Sequence, residues 1–437
     1  MREQEITYTK VILVGVDTGE EQDFEHSMEE LASLAEAAYK KVVGIVIQRM
    51  ETVNKALYIG TGKVSEVKEY AAMTEAEEIV FDNALSPSQV RNLGRKLELP
   101  ILDRTNLILD IFAIRAKTKE AKLQVETARL QYMLPRLVGM RENLSRQGGS
   151  GGSAGAGPGN SGGSVSNRGA GETKLELDRR KIEHRISELK KELATVAKNR
   201  ETMRKKRGQS RTPQVALVGY TNAGKSTIMN RLVDRYGEND EKTVLEKDML
   251  FATLDTSVRN IRTADNRPFF LVDTVGFIHK LPHGLVKAFY STLEEVKYAD
   301  LLVQVVDFSD EHFKQQMEVT AETLKELEAG DIPRIIVYNK ADKAGLEDIP
   351  RKKENQIYMA AGRDCGLEEL VVMIQEAVYG DRVDAEFLFP FHMGALVSYF
   401  RENATVLGQE FREEGTWMKV SCHKSDAEKY GPYRCDR

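Results

Sequence analysis

The chain has 437 residues, of which 41% are hydrophobic and 30% are charged. This length exceeds what one compact core holds and predicts about two to four domains, while the composition excludes a wholly disordered protein. No apolar run is long enough to span a membrane, and the polar start (Met1–Thr9) matches neither a signal peptide nor a transit peptide, so we expect a cytoplasmic protein without membrane insertion. Three cysteines are too few for a disulfide framework, and Cys422, His423 and Cys435 lack a fourth ligand, so no structural zinc is assigned.

The net charge of −5 conceals one strongly basic region. Between Ala113 and Arg211, 23 Lys or Arg stand against 10 Asp or Glu, a local excess of 13 positive charges that leaves the remainder at about −18. Such asymmetry is typical of a polyanion partner, because neutralising phosphates releases condensed counterions. A solvated helical face is the alternative, but the length and imbalance of the run favour nucleic acid.

The first hundred residues alternate β-branched runs with helical stretches, which predicts a small parallel α/β domain. Ser86 and Pro87 indicate a helix start, with Ser86 as the N-cap. Strands are predicted at Lys10–Asp17, Val42–Ile47, Glu78–Asp82 and Pro100–Arg104, and helices from the end of the first strand to about Tyr39, near Val64–Met73, and from Pro87.

Helical periodicity replaces the strand signals after Asn106. A leucine face continues to about Leu137, although Pro135 is expected to kink or end the helix locally. A second helix with a matching apolar seam is predicted from Thr173 to Arg207, and the two together predict an antiparallel hairpin. The glycine-rich tract Gln147–Gly171 between them cannot build a core. An inert linker is one interpretation. We favour a tip that reaches a partner, because three arginines flank it, Arg141, Arg146 and Arg168.

The segment from Gly219 to Ser226 reads G-Y-T-N-A-G-K-S, and it follows the apolar run V-A-L-V and precedes a helix. This is the context of a phosphate loop, in which backbone N–H groups face the phosphates, Lys225 reaches the β- and γ-phosphates, and Ser226 offers an oxygen to Mg²⁺. The predicted nucleotide contacts here are Gly219, Tyr220, Thr221, Asn222, Ala223, Gly224, Lys225, Ser226 and Thr227.

Later loops decide between nucleotides. Asp273 ends a predicted strand as a carboxylate for Mg²⁺, and Gly276 supplies an N–H for the γ-phosphate. Asn339, Lys340 and Asp342 form N-K-A-D, where the Asp342 carboxylate can accept hydrogen bonds from guanine N1–H and its 2-amino group. Ala360 and Ala361 stand where a small-residue loop closes over guanine O6, with alanine in place of the usual serine. The sequence therefore predicts a GTPase with GTP as substrate and Mg²⁺ as cofactor.

The catalytic set predicted from these loops is Lys225, Thr253 and Gly276, and the Mg²⁺ ligands are Ser226, Thr253 and Asp273. Thr253 is preferred as the switch threonine, with Thr256 as the alternative. Phe277 occupies the place where Ras-like GTPases carry the glutamine that orients the attacking water, so we expect slow hydrolysis by the chain alone and stimulation by a partner. Asn222 sits where K⁺-activated GTPases carry an asparagine, and a local turn role explains it equally well.

These loops and their flanks resemble the HflX family of ribosome-associated GTPases over about residues 10–410. The most specific pieces lie outside the GTP loops, at Tyr58–Val67, Leu85–Gly94, Ile101–Gly139 and Gly169–Ile182. The resemblance implies binding to the large ribosomal subunit and its rRNA, splitting of stalled or stressed ribosomes and, in some members, resistance to antibiotics acting at the peptidyl-transferase centre.

The full prediction is an α/β multidomain protein, monomeric and with no DNA partner. It comprises an N-terminal parallel α/β domain (1–105), a long α-helical hairpin (106–212) with its tip at 147–171, a Ras-like P-loop GTPase domain (213–380) and a small C-terminal α+β domain (381–437) with a frayed tail. The predicted rRNA contacts are Arg141, Arg146, Arg168, Arg179, Arg180, Arg204 and Lys205. A ribosome-assembly GTPase and a non-ribosomal switch with a protein partner stay open as alternatives. A second nucleotide site at Gly60–Lys63 is disfavoured against a turn before a helix.

Overall fold

The computed structural model describes residues 8–19, 23–147, 167–209, 212–237, 250–251, 254, 257–263, 267–280, 295–380 and 382–435. The chain divides into two compact units. Unit 1 comprises Met1–Met203, Met249–Asp255 and His279–Ser291, and unit 2 comprises Arg204–Asp248, Thr256–Ile278 and Thr292–Arg437. The four-part division stays a prediction.

Unit 1 is built on a parallel sheet of four strands in the order β2-β1-β3-β4. Its apolar core includes Ile12, Val14, Ile79 and Phe81, all with no exposed surface. The strands are β1 (Thr9–Asp17), β2 (Lys40–Arg49), β3 (Glu78–Phe81) and β4 (Ile101–Asp103), and the helices among and after them are α1 (Phe24–Ala37), α2 (Thr61–Thr74), α3 (Pro87–Leu97) and α4 (Arg104–Arg115). These elements confirm the predicted parallel α/β arrangement.

The start of α3 follows its predicted capping chemistry. The Ser86 hydroxyl accepts a hydrogen bond from the Gln89 N–H, and the Gln89 side chain accepts one from the Ser86 N–H. Two N–H groups that the helix leaves unpaired are thereby satisfied. Pro87 occupies the first turn, as predicted.

Two long helices follow α4 along the chain, α5 (Lys119–Gln147) and α6 (Asn167–Gln209). The helix α5 continues through Pro135 and does not end there, contrary to one of the two expected effects of that proline. Arg185 pairs with Glu126 at 2.9 Å and Lys119 pairs with Glu192 at 3.8 Å. Lys119 precedes Glu126 in α5, whereas its partner Glu192 follows Arg185 in α6. The two helices therefore run antiparallel where these pairs form, as the predicted hairpin requires.

Unit 2 contains a seven-stranded sheet in the order β10-β11-β9-β8-β5-β7-β6. Its central pairs are parallel, and β6 and β10 join the two edges antiparallel. The strands are β5 (Gln214–Gly219), β6 (Ser257–Ile261), β7 (Phe269–Asp273), β8 (Leu301–Asp307), β9 (Arg334–Asn339), β10 (Arg351–Lys353) and β11 (Gln356–Tyr358), and the described helices are α7 (Lys225–Tyr236), α8 (Phe313–Glu326) and α9 (Leu367–Tyr379).

A second, three-stranded antiparallel sheet with the order β12-β14-β13 follows in unit 2. Its elements are β12 (Arg382–Phe389), α10 (Gly394–Asn403), β13 (Thr405–Arg412), β14 (Gly415–His423) and α11 (Lys424–Lys429). The expectation that the last dozen residues are frayed is wrong for residues 426–435, which continue α11 and a short turn after it. Tyr430 packs against Phe400 and Tyr433 against Phe389, with ring centroids 5.4 and 5.7 Å apart, so two aromatic side chains fix an otherwise polar segment to the core.

Candidate active site

The predicted phosphate loop joins β5 to α7. Gly224 precedes the first helical residue with φ +99°, a left-handed conformation that favours glycine, and no side chain caps the helix start. A Cβ at Gly224 would lie 2.2 Å from the Asn339 amide nitrogen, so only glycine permits this approach. The first N–H groups of α7 therefore lack a side-chain cap, which is the arrangement that suits a phosphate.

Lys225 is buried with 7% of its surface exposed. Its ammonium donates hydrogen bonds to the carbonyl oxygens of Gly219 at 3.0 Å and Tyr220 at 2.6 Å. Burial lowers the pKa of Lys225 to about 8, and the nearby Asp273 carboxylate offsets part of that effect. The Lys225 ammonium is thus held inside the predicted phosphate loop.

Ser226 and Asp273 come together although 47 positions separate them, because β5 and β7 are parallel neighbours. The Ser226 hydroxyl donates to Asp273 Oδ2 at 3.0 Å, and Asp273 has no exposed surface. A hydroxyl and a carboxylate are oxygen ligands of the kind that Mg²⁺ prefers, and Mg²⁺ takes few protein ligands when it also binds phosphates. The pair fits a magnesium site. Thr253 and Thr256 lie outside the described residues.

The segment after Asp273 lies parallel to the start of the phosphate loop. The Thr221 N–H donates to the Phe277 carbonyl at 2.9 Å, and the Phe277 N–H donates to the Gly219 carbonyl at 3.1 Å. A Cβ at Gly276 would lie 2.8 Å from Thr221 Cα and 3.0 Å from Lys225 Nζ. Gly276 therefore approaches the phosphate loop as closely as a residue without a side chain allows.

Asn339 links the predicted guanine loop to both of its neighbours. Its side-chain nitrogen donates to the Ala223 carbonyl at 2.9 Å, and its side-chain oxygen accepts from the Ala361 N–H at 3.0 Å. Lys340 pairs with Asp307 at 2.7 Å. The loops predicted from separate stretches of sequence are therefore joined by direct hydrogen bonds.

Asp342 meets a residue that the sequence did not indicate. The Arg363 Nε lies 2.8 Å from Asp342 Oδ2, and the arginine is 72% exposed while the aspartate is 12% exposed. Ala360, which replaces the usual serine, has no side-chain hydroxyl and engages Cys365 through the backbone. An arginine three residues after Ala360 carries no recognisable signal in a single sequence.

Three family profiles match consecutive parts of the chain. They are described as GTP-binding GTPase N-terminal over residues 25–113, GTP-binding GTPase Middle Region over residues 115–207, and 50S ribosome-binding GTPase over residues 214–340. A protein named GTPase HflX from Caldanaerobacter subterraneus subsp. tengcongensis is 42% identical over 417 residues, which cover 94% of this chain and 91% of that protein.

The chain belongs to the HflX family of GTPases. Its GTPase HflX relative from Escherichia coli is 37% identical over 414 residues, covering 93% of this chain and 92% of the relative. A solved structure of a GTP-binding protein from Sulfolobus solfataricus in complex with GDP is 26% identical with a TM-score of 0.43, and the match covers 85% of this chain and 99% of that one. Membership in the HflX family makes this chain a GTP hydrolase.

Two of the predicted rRNA contacts of this HflX-family chain have described side chains, and both pair within α6. Arg179 lies 2.9 Å from Glu183, and Arg180 lies 3.4 Å from Glu176. Such exposed pairs at helical spacing match the alternative of a solvated face. The side chains of Arg141, Arg146, Arg168, Arg204 and Lys205 lie outside the described ones.

Unit 1 holds a buried charge cluster that the sequence did not reveal. Arg104, 2% exposed, pairs with Glu30 and Asp82 at 2.7 Å each, and Lys280 pairs with Asp82 at 2.5 Å. Burial raises the pKa of Asp82, but the charges of Arg104 and Lys280 outweigh burial and hold that pKa below its ordinary value. We call Glu30, Asp82, Arg104 and Lys280 the buried ionic cluster.

Gly60–Lys63 forms the N-terminal turn of α2 in this HflX-family chain, with Gly60 as the N-cap. Lys63 pairs with Glu66 at 2.7 Å. This geometry is that of a turn before a helix, the interpretation preferred from the sequence.

Among the helices that the structure describes, none has the length and apolar character needed to cross a membrane.

Proposed function

We propose that this GTP hydrolase binds the large ribosomal subunit through rRNA and splits stalled or stressed ribosomes into subunits. One observation carries the proposal. The profile described as 50S ribosome-binding GTPase matches residues 214–340, the stretch in which Lys225, Ser226, Asp273 and Asn339 converge. Protection from antibiotics at the peptidyl-transferase centre, a cytoplasmic location and a monomeric state belong to the same proposal.

The nucleotide is proposed to bind along the loops that face one another in unit 2. The phosphates meet the N–H groups of Gly219–Thr227 and Gly276, and guanine meets Asn339, Lys340, Asp342, Ala360 and Ala361. Ser226 and Asp273 would hold Mg²⁺, with Thr253 as a further ligand. Bound Mg²⁺ neutralises charge that develops on the phosphates.

The chain's own residues act mainly by positioning and by fixed charge, since phosphoryl transfer needs little covalent chemistry from the protein. Lys225 places its ammonium against the β- and γ-phosphates. Gly276 brings an N–H to the γ-phosphate, because no side chain keeps its backbone away. Asn339 fixes the phosphate loop to the guanine loop through Ala223 and Ala361. The Asp342 carboxylate selects guanine by accepting two hydrogen bonds.

Phe277 supports the proposal that a partner supplies or orders the groups that act on the attacking water. Its side chain is 1% exposed and apolar, so it cannot orient water. We expect slow single-turnover hydrolysis by the chain alone and marked stimulation by purified large subunits. Small subunits at equal concentration are the matched control. Equal rates with and without large subunits would contradict the proposal.

The hairpin provides a second test of the ribosome proposal. The described side chains of Arg179 and Arg180 are paired with carboxylates, whereas Arg200–Arg211 contains six basic residues and one acidic residue. Neutralising Arg204 and Lys205 together should weaken subunit binding and flatten its salt dependence, because fewer counterions are released. The double variant of Arg179 and Arg180 is the matched control and should have the smaller effect. Equal binding by both variants and the parent would contradict an rRNA role for the helix.

A variant with a shortened glycine-rich tract provides a test that distinguishes ribosome splitting from subunit assembly. Shortening Gly148–Gly163 should leave GTP binding intact and reduce splitting more than subunit binding. Sedimentation distinguishes intact ribosomes from separated subunits and from assembly intermediates. Accumulation of assembly intermediates would favour an assembly GTPase. An RNase-sensitive association would count against the other alternative, a non-ribosomal switch whose hairpin binds a protein.

K⁺ assistance is proposed on the position of Asn222. The residue adopts φ +58°, a left-handed conformation that asparagine enters more readily than most residues, so a turn role explains it as well. Turnover in KCl should exceed turnover in NaCl for the parent, and Asn222→Ala should remove the difference. Equal rates in the two salts would reject K⁺ assistance.

A further inference from the structure

Thr221, the third residue of the phosphate loop, has a buried hydroxyl that the loop itself does not use. The residue is 6% exposed, and its Oγ1 has no hydrogen-bond partner among the described residues. Buried side-chain hydroxyls nearly always have a partner, so an exception calls for a functional explanation. The backbone N–H of Thr221 is separately engaged with the Phe277 carbonyl.

The Cα and the methyl group of Thr221 lie beside the proposed γ-phosphate contacts, and the unpartnered hydroxyl is attached to the same Cβ as that methyl group. The point where a Gly276 Cβ would lie is 2.8 Å from Thr221 Cα, 2.9 Å from Thr221 Cγ2 and 3.0 Å from Lys225 Nζ. Thr221, Lys225 and Gly276 therefore converge on one point. Lys225 and Gly276 are the two groups assigned to the γ-phosphate.

The neighbouring residue Phe277 stands where Ras-like GTPases carry the side chain that orients the attacking water. Phosphoryl transfer to water needs a group that orients the attacking water, and phenylalanine has no polar atom for it. A threonine hydroxyl has one donor and two acceptor positions. It can therefore accept a hydrogen bond from the water and donate one to a γ-phosphate oxygen.

We propose that Thr221 is a catalytic residue whose hydroxyl orients the attacking water against the γ-phosphorus. The water oxygen forms a bond to the γ-phosphorus while the bond from that phosphorus to the β–γ bridging oxygen breaks. GDP leaves with the electron pair of the broken bond, and both water protons leave on the phosphate as H₂PO₄⁻. The hydroxyl is unchanged at the end. This inference rests on the proposed nucleotide site and adds a residue to its chemistry.

Two substitutions separate the hydroxyl from the shape of the side chain. Thr221→Val removes the hydroxyl and keeps Cγ2 against Gly276, whereas Thr221→Ser keeps the hydroxyl and removes that methyl group. Single-turnover hydrolysis is measured with the chain in excess in KCl buffer, and Kd values for GTP and GDP are measured by titration with fluorescent analogues. Thr323→Val on α8, which loses a hydroxyl bonded to the Val319 carbonyl, is the matched control.

We expect Thr221→Val to slow hydrolysis by about 100-fold, the usual loss when one transition-state hydrogen bond is removed. Its Kd for GTP should stay within about 3-fold of the parent value, because the bond acts mainly in the transition state. Thr221→Ser, which keeps the hydroxyl, should hydrolyse GTP at least about tenfold faster than Thr221→Val, and Thr323→Val should retain the parent rate within about 3-fold.

Normal hydrolysis by Thr221→Val overturns the inference. Parallel losses of rate and GTP affinity in both Thr221 variants also overturn it, because that result assigns the residue a purely structural role. Failure of the parent chain to bind GTP would instead overturn the proposed nucleotide site, and the two failures are distinguished by the parent measurement.

Discussion

Replacing Gly276 by alanine should lower GTP affinity and the rate of GTP hydrolysis while changing GDP affinity little. The added Cβ would lie 2.8 Å from Thr221 Cα and 2.9 Å from its Cγ2, closer than packed carbon atoms approach. The nearest obstacle is backbone, so the two chain segments must move apart. That movement weakens the hydrogen bonds that join Phe277 to Thr221 and Gly219.

The size of the effect follows from the cost of overpacking. Inserting one carbon into a packed site costs about 1–3 kcal/mol. At about 1.4 kcal/mol per tenfold change, this corresponds to about 5- to 150-fold in an equilibrium or a rate. Because Gly276 is assigned to the γ-phosphate, the loss should fall on GTP affinity and hydrolysis, while GDP affinity changes little.

The assay is a paired titration of GTP and GDP with a single-turnover measurement of hydrolysis. Gly62→Ala is the matched control, since a Cβ there has no atom within 4 Å, and alanine stabilises a helix relative to glycine. It should bind and hydrolyse GTP as the parent does. Parent-like values for Gly276→Ala, or equal losses for GTP and GDP, would refute the reasoning.

Three further predictions concern charges. With its pKa near 8, Lys225 must be protonated to pair with phosphate, so GTP affinity should fall by about tenfold per pH unit above pH 8, and a flat titration between pH 7 and pH 9.5 would contradict this. Asp342→Asn should favour xanthosine over guanosine nucleotides by about 1–3 kcal/mol in competition binding, because buried donors and acceptors become mismatched, and unchanged selectivity would mean that the loop is misassigned. Asp82→Ala should cost about 3–5 kcal/mol in the free energy of unfolding, measured by urea titration, because it leaves the two cations Arg104 and Lys280 with one carboxylate, Glu30, between them, whereas Lys10→Ala at an exposed pair should cost at most about 1 kcal/mol. The pKa of Asp82 is lowered in the folded chain, so its contribution to the free energy of unfolding should be complete above the ordinary carboxyl pKa. That contribution should disappear as the pH falls through the folded-state pKa. An equal cost of Asp82→Ala above the ordinary pKa and below the folded-state pKa would contradict this.

The parts of the site that the sequence predicted are those set by local chain geometry. A phosphate loop needs a strand, a glycine turn and a helix in immediate succession, and β5, Gly224 and α7 supply them within 23 positions, from Gln214 to Tyr236. The N-cap at Ser86 was predictable for the same reason, since its partner Gln89 is three residues away.

The parts that escaped prediction depend on distant pairing. The edge strand β10 reads Arg-Lys-Lys and is exposed, and β6 contains Arg259 and Asn260, so neither has the alternation of a half-buried strand. Arg104 pairs with Glu30, which lies 74 positions away in sequence, and Lys280 pairs with Asp82, which lies 198 positions away. Arg363 reaches Asp342 across the guanine loop without any periodic signal.

The composition of unit 1 has a consequence for the order in which the chain folds during synthesis. Phe112 packs against Phe251 with ring centroids 4.8 Å apart, and Asp82 pairs with Lys280, yet both partners are encoded after the first stretch of unit 2 begins at Arg204. At a synthesis rate of about 5–20 residues per second, residues 204–280 take about 4–15 s to emerge. Throughout that interval the nascent N-terminal segment carries the Asp82–Arg104 pair without its second cation. Unit 1 therefore reaches its complete set of contacts only after a large part of unit 2 has been translated.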